Sequence, residues 1–126
     1  MNHAILRIML VLGLMAAAIP AAGDPTTATV KGYVLDSACA FTKNLSKPIS
    51  KECALSCAKS GSQLVILTAD GQIYWPISDA MPAVGQNEKL VPFAAQKVTV
   101  TGRVFVRGGS RAIVIDKIEP LTAATN

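Results

Sequence analysis

The 126-residue chain carries 12 Lys and Arg against 8 Asp and Glu, a net charge of +4, with one histidine, three cysteines and one tryptophan. The basic residues are scattered and not gathered into a block, so the charge favours solubility, and no specific nucleic-acid partner is expected. The histidine is His3; a mature chain that loses its first segment has none, which excludes Ser-His, Cys-His and zinc-histidine chemistry.

That first segment has the three parts of a secretory signal. Arg7 is its only firm charge, residues 8–19 are almost wholly apolar, and Pro20-Ala21-Ala22-Gly23 offers a small-residue exit. The apolar run falls short of the roughly 20 residues that span a bilayer. Cleavage after Gly23 is expected, with Ala21 or Ala22 as alternatives, and the competing reading is an uncleaved anchor. No cysteine lies near the exit, so a lipid anchor is not expected. Residues 1–23 are read as signal peptide and 24–126 as one exported domain, periplasmic or secreted, with no stable membrane insertion after cleavage. That length is enough for a single core.

Residues 24–28 read as a loose polar lead-in. Residues 29–36 form a first strand, rich in β-branched and aromatic side chains, and Gly32 within it marks a bulge or sharp bend of the kind a barrel needs. Residues 37–48 show no clean period and read as loop. Ser50 is placed as a helix N-cap with Glu52 in the first turn, Lys59 near the end and Gly61 as the stop, so residues 51–60 form a short helix. Residues 64–68 are a strand, Ala69-Asp70-Gly71 a hairpin turn, and residues 72–75 the returning strand, which Pro76 ends or places at an edge.

Residues 78–96 are broken by Pro82, Gly85 and Pro92, with a short helical turn expected near residues 93–95. Residues 97–106 alternate, with Val98, Val100, Val104 and Val106 in one phase. Residues 107–110 turn the chain, and residues 111–119 return with Ile113, Ile115 and Ile118 inward. The expected fold is mostly β: a small five-stranded, OB-like, partly open barrel with one short cysteine-bearing helix inserted between the first two strands.

Cys39, Cys53 and Cys57 are the soft, reactive groups of the mature chain. Cys53 and Cys57 lie four apart and share one helix face, and Cys39, in the preceding loop, is able to fold back onto it. Two readings are open. In one, Cys39 pairs with Cys53 or Cys57 in a disulfide, worth about 2–4 kcal/mol to a small exported domain. A Cys53–Cys57 bridge suits a regular helix poorly. In the other, the three thiols hold a soft cation, copper(I) ahead of zinc. Zinc requires a fourth ligand, for which Asp36, three residues before Cys39, is the nearby candidate; as a strand-end cap it has an equally ordinary role. An odd cysteine in an exported protein keeps the metal reading open.

Tyr33, Tyr74 and Trp75 are candidates for an exposed stacking platform, with core or rim packing the more ordinary role for Trp75. Arg103, Arg107 and Arg111 gather around the last hairpin, as a solvated face or an anion site.

Gly32-Tyr33-Val34-Leu35-Asp36-Ser37-Ala38-Cys39, followed by Cys53-Ala54-Leu55-Ser56-Cys57, resembles a group of uncharacterised exported proteins of soil bacteria. These join an Asp-Ser-x-Cys strand end to a C-x3-C helix. The likeness covers roughly residues 30–118 and implies an OB-like barrel, export, and correspondence of the family's cysteines and aspartate to Cys39, Cys53, Cys57 and Asp36. Many members have a histidine soon after the first cysteine, where this chain has Ala40-Phe41-Thr42-Lys43. That departure weakens a Cys/His site and leaves a thiolate-only site or a plain disulfide. The first functional reading is therefore a non-enzymatic exported binding protein with a three-cysteine cluster. The second is a β-barrel interaction module for a macromolecule or anionic ligand, with structural cysteines. The third is a thiol–disulfide enzyme whose nucleophile is Cys53, near a helix N-terminus.

Overall fold

The computed structural model describes residues 24–45 and 49–122; the expected signal segment, residues 1–23, lies outside them. The elements follow in the order β1 (Thr26–Asp36), α1 (Ser37–Lys43), α2 (Lys51–Lys59), β2 (Leu64–Leu67), β3 (Ile73–Pro76), α3 (Asn87–Leu90), a 3-10 turn (Val91–Phe93), β4 (Lys97–Arg107) and β5 (Ser110–Pro120). The strands form a barrel in the order β1-β2-β3-β5-β4, and β4 returns to pair with β1. Neighbours run antiparallel except β3 and β5, which are parallel. The fold is thus the expected five-stranded barrel with the cysteine helix between β1 and β2. Its ring of pairings is closed where a partly open one was expected.

Two close backbone approaches shape the ring. β1 pairs with β4 through Tyr33 and with β2 from Tyr33 to Asp36, so one strand serves two neighbours. The changeover lies beside Gly32, where a Cβ would stand 2.6 Å from the Leu67 carbonyl oxygen. Only glycine allows the strand to pass there. On the other side, Thr101 faces Lys117 while Gly102 faces Ile115, so β5 carries Asp116 as an extra residue. This bulge reverses the inward parity, which is why Ile113, Ile115 and then Ile118 all meet the same core. A Cβ at Gly102 would collide with the Val114 carbonyl.

Two apolar clusters result. Val30, Val34, Leu64, Ile66, Val98, Val100, Ile113 and Ile115 fill the barrel, joined by Leu90 of α3. Leu35, Val65 and Leu67 point to the outer face, where Cys39 and Ala40 of α1 cover them. Because β2 is covered on both sides, all four of its residues are buried, which accounts for its unbroken apolar run.

Several local expectations are corrected. Residues 37–43, read as loop, are α1, because Asp36 supplies a side-chain cap. Residues 26–28, read as a loose lead-in, belong to β1, because β4 is long enough to pair with them from Thr26 opposite Val104. The helical turn expected near residues 93–95 sits earlier, as α3 and the 3-10 turn. Asn87 fixes it there: its Oδ1 accepts the Leu64 N–H at 2.8 Å, and its Nδ2 donates to the Ser62 carbonyl at 2.9 Å. Pro76 ends β3, as expected, opposite Ile113, and the Ile77 N–H beyond it still donates to the Ile113 carbonyl. Among the described residues no helix is long and apolar enough to cross a membrane.

Candidate functional site

Asp36 closes β1 in extended backbone (φ −70°, ψ 151°) and caps α1, its Oδ2 accepting the Cys39 N–H at 3.1 Å. Ser50 repeats the device on α2 with almost the same backbone, its Oγ accepting the Cys53 N–H at 3.1 Å. Both caps satisfy a backbone donor that the first helical turn leaves open. Cys39 and Cys53 therefore occupy the same third position in two successive helices. Cys57 follows one turn after Cys53.

The turn after α2 brings these helices to one place. Gly61 takes the left-handed conformation (φ +94°), and the Ser62 N–H returns to the Cys57 carbonyl at 3.0 Å. Next, the Ser37 N–H donates to the Gln63 carbonyl at 2.9 Å, tying the start of α1 to the start of β2. Ser62 Oγ then reaches Asp36 Oδ2 at 3.5 Å.

Asp36 is fully buried. Its second oxygen, Oδ1, receives no N–H or O–H. Burial pushes the Asp36 carboxyl upward, but the Cys39 thiol and N–H, the Cys57 thiol and the Ser62 hydroxyl outweigh it and hold the group below its usual range. The thiols respond in the opposite sense. The Cys39 hydrogen bond to Asp36, reinforced by burial and by the carboxylate charge, pushes that thiol up to about 11, with Lys43 partly opposing. Cys57 is raised as well, by burial first, then by the charge of Asp36 and by Cys53, with which it shares a hydrogen bond.

Asp36 and Cys39 are joined directly through the α1 cap, while Cys53 and Cys57 lie on the neighbouring helix α2. The charge of Asp36 is felt by the Cys39 and Cys57 thiols, and Cys53 acts electrostatically on both. Exposure is graded: Cys39 is buried, Cys57 half-buried and Cys53 exposed. All three cysteines are free, so the expected bridge from Cys39 to Cys53 or Cys57 is absent, and Asp36 stands as the common partner of Cys39 and Cys57. Among the described residues no group of three or more His, Cys, Asp or Glu side chains is placed to hold a metal ion.

The other candidates disperse. Tyr74 packs against the barrel interior, while Tyr33 and Trp75 pack against the outer cluster, so the aromatics form no single platform. Phe41 lies over Trp75 with ring centroids 6.3 Å apart, and Lys97 stands over Tyr33. Arg103 pairs with Asp79, which leaves the arginine group without a common target. Sequence reading missed Ser62 and Lys43 at the site. Lys43 had a local signal, a basic residue in the last turn of a capped helix. Ser62 had none, because only the return of the chain beside β1 brings it to Asp36. No family model, no curated protein and no solved structure matches the chain.

Proposed function

We propose that this is an exported, non-enzymatic binding protein whose Cys39, Cys53 and Cys57 thiols take up a soft cation, copper(I) ahead of zinc. What supports this reading is one buried carboxylate, Asp36, with Oδ1 unpaired and coupled electrostatically to thiols on two helices. Thiolates select copper(I) over hard ions, and two or three sulfurs satisfy its low coordination number. Asp36 is a hard donor, already committed through Oδ2 to capping α1, and its role toward copper(I) is to orient the thiols. With zinc it would be the fourth ligand. Because Cys39 and Cys57 rest as thiols, uptake displaces protons and strengthens as pH rises.

The test is anaerobic titration of the reduced protein with copper(I) against a competing chelator, followed by native mass spectrometry. One ion per chain is expected. Asp36→Asn should weaken binding by roughly 10–100-fold, as loss of an orienting partner does, and Cys57→Ser should lower the metal content. Metal content unchanged in Cys57→Ser would remove the three-thiol site. The interaction-module reading predicts a different result, with one free thiol, one bridge and no bound ion in protein recovered from the periplasm.

A further inference from the structure

We propose that the outer face of the barrel beside Gly32 binds a small aromatic carboxylate, its ring in an apolar hollow and its anion between Lys31 and Lys97. A cavity of about 220 Å³ opens there, walled by Tyr33, Leu45, Leu67, Ala69 and Leu121, with both lysines in its lining. None of these residues belongs to the cysteine site, so the proposal goes beyond metal uptake and does not depend on it.

The strand register builds the hollow. Tyr33 is the residue at which β1 changes neighbours, standing opposite Leu67 on one side and Lys97 on the other. Residues directly opposed in an antiparallel pair share a face, and Lys31, two residues before Tyr33, lies on that face too. Lys97 Nζ is held 5.6 Å from the centre of the Tyr33 ring, which fixes one ammonium at the rim. Leu121 is drawn alongside by its N–H, which donates to the Lys97 carbonyl at 2.9 Å. Leu45 adds an exposed apolar side chain at the opening.

Charge and size choose the ligand. Lys31 and Lys97 are the charged residues of the lining, and neither joins an ion pair among the described residues. The carboxylates on adjoining elements are engaged elsewhere: Asp70 accepts the Thr68 hydroxyl, and Glu119, opposite Thr99, is bridged to Lys117 at 2.8 Å. Two ammonium groups over an apolar hollow attract an organic anion and repel a cation. A cavity of about 150 Å³ takes one benzene ring, so this one suits a single ring with a short carboxylate arm. It falls below the roughly 300–1,000 Å³ of pockets for larger ligands. A ring also loses less freedom on binding than a flexible alkyl chain.

The experiment titrates phenylacetate into isotope-labelled, reduced protein with chelator present and follows the backbone amide signals by NMR. Saturable shifts centred on Lys31, Tyr33, Lys97 and Leu121 are expected. Phenylacetamide, of the same shape without the charge, should bind roughly 5–20-fold more weakly, and Lys31→Gln and Lys97→Gln should each cost roughly 2–5-fold, as loss of an exposed ion pair does. Ala69→Leu, at an exposed position of the wall, fills the hollow and should remove saturable binding. Circular dichroism checks that each variant keeps the barrel. No saturable shift at tens of millimolar phenylacetate, equal affinity for the amide, or unchanged binding in Ala69→Leu or in the double lysine variant would each overturn the assignment. A chain that takes phenylacetate yet no copper(I) would lose the metal reading and keep this one, and the converse result would separate them equally.

Discussion

Asp36 ends β1 with its carboxyl group enclosed, and burial by itself drives such a group toward its neutral form. The donors around it reverse that tendency, and the reversal is transmitted to the thiols. Replacing Asp36 by Asn separates the two roles of the residue, since Asn caps a helix about as well as Asp but carries no charge. In Asp36→Asn the α1 cap should persist, while the Cys39 thiol falls from about 11 toward its ordinary 9.0. The pH dependence of Cys39 alkylation, measured with Cys53 and Cys57 changed to Ser, reads the shift directly. A Cys39 that still titrates near 11 would assign its inertness to burial and remove Asp36 from the account. The same residue makes a stability prediction. A thiol raised on folding binds its proton more tightly in the native state, so its contribution is complete below 9.0 and is lost as pH rises toward about 11. Urea unfolding of reduced protein at pH values bracketing that window should show a loss of about 2 kcal/mol that Cys39→Ala does not show.

The β-elements turn on two glycines whose absent side chains the barrel needs. Gly32→Ala pushes a methyl group against the Leu67 carbonyl where β1 changes neighbours, and Gly102→Ala meets the Val114 carbonyl beside the Asp116 bulge. Both obstacles are backbone atoms that cannot rotate away. Each substitution should cost about 1–3 kcal/mol, Gly102→Ala the more. Gly85→Ala, which meets nothing within 4 Å, serves as the control in the same urea titration, and equal midpoints for all three would contradict the argument. These elements also mark how far the sequence could be read. Gly32 was legible because a glycine inside a β-branched run has few uses other than a bend. Ile113, Ile115 and Ile118 were legible as inward residues, although their change of parity needs a bulge that only the register with β4 reveals. The Ser50 cap stood before a recognisable helix. The Asp36 cap did not, because α1 buries only Cys39 and Ala40 and so shows no apolar period. The coupling of Asp36 to thiols on both helices lies beyond local pattern altogether, since it follows from the turn at Gly61 and the tie from Ser37 to Gln63.

At the scale of the whole molecule, β2 belongs to both apolar clusters. Leu64 and Ile66 face the barrel interior, whereas Val65 and Leu67 support α1 on the outside. Unfolding of either layer therefore exposes a face of the strand on which the other depends, and the two should unfold as one cooperative unit. The free thiols imply further that this unit stands without a bridge. A single-core domain has a net stability of about 5–15 kcal/mol, more than the roughly 2–4 kcal/mol of one disulfide, so reduced, metal-free protein should remain folded. Trp75, the single tryptophan, packs against the outer cluster, which makes its fluorescence a local reporter, while circular dichroism follows the strands of the barrel. In urea with reductant and chelator the two signals should trace one transition with the same midpoint. If Trp75 changes first and the strands later, α1 and its cluster form a separate, weaker layer. In that case Leu67→Ala, expected here to cost about 2–5 kcal/mol for the entire fold, would move only the fluorescence transition and leave the barrel where it was.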